Sequence, residues 1–156
     1  MPLESNLPRS CCAVALAVVL AGLASPAGAQ FSMVPAPAAT TAAASVAGNP
    51  LEYRRDAAKH LYTLFPTRIY RGRMPPLLYG VAIVDTEIDA EGKVLDVRLR
   101  RPPAAPEVGP WIQSVIRRAS PFPVPTNLGE KTVFSEIWLV DKSGNFQLDT
   151  LTEGQR

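Results

Sequence analysis

The sequence predicts a small α+β fold: an antiparallel or mixed four-stranded sheet in the order 2-1-3-4, with two helices on one face. Three observations carry this. Residues 78–99 alternate apolar and polar side chains on either side of a short polar turn, Ala90-Glu91-Gly92-Lys93, which reads as a hairpin. A second apolar pair, 131–141 and 145–151, folds back at Asp141-Lys142-Ser143-Gly144. A segment of helical spacing precedes each pair, at 51–65 and 111–119. The second helix makes a crossover, so the second and third strands run parallel to each other. The first strand, antiparallel to both, fits between them.

In chain order, Arg9 precedes an apolar run, 11–24, which leads to Ala27-Gly28-Ala29. A basic start, a short apolar stretch and an A-x-A-like site read as a secretory signal peptide, residues 1–29, cut between Ala29 and Gln30. The run of about 14 residues is shorter than the ~20 that span a bilayer. The alternative is an uncleaved inner-membrane anchor. Cys11 and Cys12 both lie in this run, so the mature chain is exported without a disulfide and must rest on core packing. Residues 30–50, uncharged and rich in Ala, Pro, Thr and Ser, read as a flexible linker, and 51–156 as the folded domain.

Asn49-Pro50 supplies a cap and a first-position proline for the helix over 51–65, where Leu51, Ala58, Leu61 and Phe65 form the apolar side and Pro66 stops it. His60, the single histidine, reads as a surface or packing residue. Residues 67–76 form a basic loop in which Arg68, Arg71 and Arg73 could grip an acidic partner; a merely solvated loop is the alternative. In the first strand Leu78, Ala82, Val84, Thr86 and Ile88 face inward, and Asp85, Glu87 and Asp89 outward. Gly92 supplies the positive φ of the turn. In the second strand Val97 and Leu99 alternate with Asp96, Arg98 and Arg100. Residues 101–110 read as a rigid loop. The second helix follows, with Trp111, Ile112, Val115, Ile116 and Ala119 on its apolar face and Trp111 as a core anchor. The prolines of 120–125 hold an extended path, with Phe122 as a core plug. The third strand is apolar on both faces (Phe134, Trp138 and Val140 against Val133, Ile137 and Leu139), which predicts a central position.

A formal charge of +2 and scattered arginines give no basis for nucleic-acid or acidic-membrane binding. One histidine and no cysteine in the mature chain leave no expected metal site, and no cofactor is implied. No phosphate-binding glycine loop or supported Ser-His-Asp set is present, and no small-molecule substrate is evident. The acidic run Asp85, Glu87, Asp89 and Glu91 lies along a strand and its turn, where carboxylates diverge. It therefore reads as a solvated face or an electrostatic docking surface rather than a calcium site.

Taken together, Gly80-Val81 with Val84, the turn Ile88-Asp89-Ala90-Glu91-Gly92-Lys93-Val94, and Asp96-Val97 resemble the TonB/TolA C-terminal domain family, in particular the TonB type. So do Ile116-Arg117-Arg118-Ala119-Ser120-Pro121-Phe122-Pro123 and the strand from Phe134 to Val140. The resemblance covers about residues 77–140 and implies a periplasmic location in a Gram-negative cell envelope. It also implies binding of an outer-membrane protein segment as an added β-strand, a mode that requires no catalytic side chain. The spacer of about twenty residues is much shorter than TonB's periplasm-crossing one.

The expected function is thus that of a non-catalytic, soluble periplasmic adaptor; a membrane-anchored transducer for outer-membrane transport is the alternative. The candidate partner-binding residues are Asn145, Phe146, Gln147, Leu148 and Asp149 on the fourth-strand edge, Asp85 and Glu87 on the acidic face, and Arg68 and Arg71 in the basic loop. The second-strand edge is a further candidate, and an unpaired edge also permits a homodimer.

Overall fold

In the computed structural model, which describes residues 43–155, the folded unit starts before the first helix. Ser45 is buried and lies beside Pro125. Its N–H donates to the Val124 carbonyl (2.8 Å), its carbonyl accepts from Thr126 N–H (3.3 Å), and its Oγ donates to Asp56 (2.7 Å). Ala47 is also buried. The end of the stretch expected to be linker thus belongs to the domain. The expected signal peptide, the Ala29–Gln30 cleavage point and the rest of the linker lie outside the described residues. Among the described residues, no helix is long and apolar enough to cross a membrane.

Helix α1, Pro50–Leu64, is capped by Asn49, whose side chain accepts from Glu52 N–H (3.0 Å), while the Glu52 carboxylate accepts from Gly48 N–H (2.9 Å). Its buried side is Tyr53, Ala57, Ala58 and Leu61. Leu51, in the first turn, is 73% exposed instead of packed. Strand β1, Gly80–Asp89, and strand β2, Val94–Arg101, form the expected hairpin. Helix α2, Val108–Arg118, begins earlier than the sequence suggests. Pro110 falls in its first turn, where the missing N–H would have no intrahelical acceptor, so proline does not interrupt it.

Strand β3, Lys131–Val140, pairs with β1 over ten residues, and strand β4, Phe146–Leu148, pairs with β3. The sheet is antiparallel at every pairing, in the order β2-β1-β3-β4. β4 is shorter than the 145–151 expected: residues Asp149–Leu151 turn into a 3₁₀ helix, and the Leu148 N–H, on the side away from β3, donates to the Tyr62 hydroxyl (3.1 Å).

Both helices cover one face. Ala82, Val84 and Ile88 of β1 and Phe134, Trp138 and Val140 of β3 share one core with Tyr53, Leu61, Ile112, Val115 and Ile116. Trp111 stands edge-on to Trp138 and Phe146, and Phe122 is buried against Phe134 and His60. The turn of the β1–β2 hairpin docks on the proline-rich path: Phe122 N–H donates to the Gly92 carbonyl (2.7 Å), and Val94 N–H donates to Ser120 Oγ (3.1 Å). The two most recognisable motifs of the sequence are therefore in direct contact.

Candidate functional site

A sheet covered on one face can meet a partner at its edges or on its open face. At the β4 edge the expectation for Asn145–Asp149 needs correction. Phe146, Gln147 and Leu148 are fully buried. Phe146 packs its ring 4.7 Å from Trp138, centroid to centroid. Gln147 is an internal clasp. Its Nε2 donates to the carbonyls of Tyr70 (2.9 Å) and Gly72 (2.7 Å), and its Oε1 accepts from Thr152 Oγ1 (2.8 Å) and Glu153 N–H (3.3 Å). The backbone is occupied as well: Phe146 N–H donates to the Arg68 carbonyl (2.8 Å), and Tyr70 N–H to the Phe146 carbonyl (2.9 Å). Asp149 is exposed but already lies in the 3₁₀ helix. The chain has filled this edge with its own loop.

That loop creates a new edge. The bonds of Phe146 to Arg68 and Tyr70 are those of a parallel bridge between Ile69 and Phe146. In such a bridge the N–H and C=O of the middle residue, Ile69, point away from β4. Neither has a hydrogen-bond partner among the described residues. Ile69 lines an open cleft of about 520 Å³ together with Pro66, Thr67, Tyr70, Arg71 and Asn145. The structure thus brings together Arg71 and Asn145, which the sequence singled out, with Arg68 in the same loop. It adds Ile69 and Tyr70, which the sequence reading missed.

The opposite edge, β2, is guarded. Its pairing with β1 skips Leu95 at one end and Arg100 at the other, and these two bulges leave only Asp96 to Leu99 in regular register. The Val97 carbonyl, which points outward, accepts from Gln113 Nε2 of α2 (3.0 Å). With Val94 N–H held by Ser120, side chains cap two of the positions a foreign strand would use.

On the open face, Asp85 and Glu87 are already engaged. Asp85 accepts from Arg100 (2.9 Å) and from Ser135 Oγ (2.6 Å), and Glu87 pairs with Lys131 (3.4 Å). The expected acidic surface is locally neutralised, because β2 and β3 set cations directly beside the β1 carboxylates. Asp89 accepts from Glu91 and Lys93 N–H and so belongs to the turn.

Two buried groups, Glu136 and Tyr53, and the half-buried His60 complete the electrostatics. Burial pushes the Glu136 carboxyl up, against the opposing pull of Thr150, the Ile137 N–H and Arg54. Burial lowers the His60 imidazole, with the Ala119 and Pro121 carbonyls acting the other way; its Nε2 lies 2.7 Å from the Ala119 oxygen. Tyr53 donates to the Pro123 carbonyl (2.6 Å), and burial raises its hydroxyl well above the ordinary range. None of the three faces the cleft. Among the described residues, no three His, Cys, Asp or Glu side chains come together as a metal site would need.

Comparison of the chain with protein-family models, with curated proteins and with solved structures finds no match.

Proposed function

We propose that this chain is a non-catalytic protein-binding module of the Gram-negative cell envelope, exported through a cleaved signal peptide. It receives an extended segment of an envelope protein as an added β-strand. The observation that carries this reading is the outward N–H and C=O of Ile69 in the wall of a cleft, at the end of a sheet whose other edge is guarded. Strand addition takes its affinity from backbone hydrogen bonds and its specificity from pockets for alternate side chains. The sequence resemblance to the TonB/TolA C-terminal family supports the same mode. The acceptor position is displaced outward from β3, past β4, to the loop.

The test is photo-crosslinking in intact cells from an unnatural residue at Thr67, in the cleft wall, with exposed Ser143 as the control position. An adduct with an envelope protein from position 67 alone is expected. No adduct, or the same adduct from both positions, rejects the cleft as the binding site. Intact mass addresses the alternative of a membrane-anchored transducer. A chain beginning at Gln30 in osmotic-shock fluid fits the soluble module, whereas a full-length chain in the inner membrane fits the anchored one.

A further inference from the structure

We propose that the segment received beside Ile69 is acidic, with a carboxylate side chain held by Arg71 while its backbone pairs with Ile69. This rests on the reading of that edge as a strand acceptor and adds the chemistry of the occupant. Arg71 lines the cleft and is exposed, and none of the other lining residues (Pro66, Thr67, Ile69, Tyr70, Asn145) is acidic. The chain carries no Asp or Glu at all between Asp56 and Asp85, while Arg68, Arg71 and Arg73 follow one another in the loop.

The acids nearest in the chain's contacts accept from backbone N–H groups. Glu153 accepts from Gly72 N–H (3.2 Å) on the side of the C-terminal tail, and Asp141 accepts from Ser143 N–H (2.9 Å) within its own turn. Exposed Lys142, in the turn that leads to Asn145, adds to the positive field. A strand running past Ile69 sets alternate side chains on opposite faces. Arg71, two residues beyond Ile69, and the apolar residues Pro66, Ile69 and Tyr70 all line the cleft such a strand would enter. The fitting ligand therefore combines apolar, β-branched residues with Asp or Glu. The guanidinium fork engages a carboxylate through two parallel N–H bonds.

The experiment uses the ¹⁵N-labelled protein as isolated from cells and three pools of acetylated, amidated hexapeptides with β-branched residues at alternate positions. The intervening positions carry Asp or Glu in the first pool, Asn or Gln in the second, and Lys or Arg in the third. The acidic pool is expected to shift the Ile69 amide and the Arg71 Nε–H, with an affinity at least about fivefold above the neutral pool. Arg71→Gln is expected to erase that difference while residual shifts at Ile69 remain. Equal binding of all pools at Ile69 overturns the acidic assignment and leaves the strand-acceptor reading standing. Absence of any shift at Ile69 overturns both.

Discussion

Gly92 shows how one residue couples two distant motifs. Its φ of +81° is one that side chains with a Cβ adopt at a cost of about 1–2 kcal/mol. A Cβ built there would lie 2.1 Å from the Phe122 carbonyl oxygen, which is backbone and cannot swing aside. Gly92→Ala is therefore expected to lose more than about 2 kcal/mol in urea unfolding, with the β1–β2 turn and the 120–125 path loosening together. Glu136 makes the converse case, a native residue that limits stability. Its carboxyl is raised above the ordinary 4.5 chiefly by burial. A group raised on folding contributes fully below its unfolded value, and the contribution is lost as the pH rises through its folded value. Glu136→Gln, neutral at every pH and of the same shape, should thus be more stable than the native protein at about pH 7 and nearly equal to it at about pH 4. Urea midpoints at the two values check the sign: an advantage confined to the acid side would contradict it.

At the scale of elements, the ends of the sheet decide what the protein can do. The Gln147 clasp ties β4 to a loop 75 to 77 residues earlier in the chain. Gln147→Ala leaves the Tyr70 and Gly72 carbonyls without their donor and should cost about 2–4 kcal/mol. Amide exchange should accelerate over residues 68–74 before it does so in β1 or β3. Gln113→Ala acts on the other edge by uncapping the Val97 carbonyl. Concentration-dependent self-association, seen as a rise in mean mass by light scattering, is the expected result. The hairpin and sheet order were legible because alternation in Gly80–Asp89 and helical spacing in Val108–Arg118 are local signals. The fate of β4 was not. Phe146, Gln147 and Leu148 alternate like any half-buried strand, and nothing local marks Gln147 as buried. Its partners are backbone carbonyls from a basic loop whose arginines, not its main chain, drew notice. Ile69 was not legible for the same reason: an outward-pointing backbone pair has no side-chain signature.

For the whole molecule, the layered arrangement explains why the N-terminal segment is structural. With two helices on one face of a four-stranded sheet, the seam between α1 and the path after α2 needs a cover. Residues 45–47 provide it, bridging Asp56 on α1 and residues 124–127 on the other side. An Ala- and Ser-rich sequence suits this position because only small side chains fit under the strap: Ser45 and Ala47 are both buried, while Val46 between them is 81% exposed. Composition alone made the same residues look like linker. Relative to a chain beginning at residue 43, one beginning at residue 51 therefore loses the Ser45 backbone pair, its hydroxyl bond to Asp56 and the Asn49 cap. A loss of about 3–5 kcal/mol in urea unfolding is expected for the shorter chain. Asp56→Ala in the longer chain should reproduce only part of that loss, since it removes one bond of the strap and leaves the backbone pairing with Val124 and Thr126 in place. Equal midpoints for the two truncations would assign residues 45–47 back to the linker and place the start of the domain at α1.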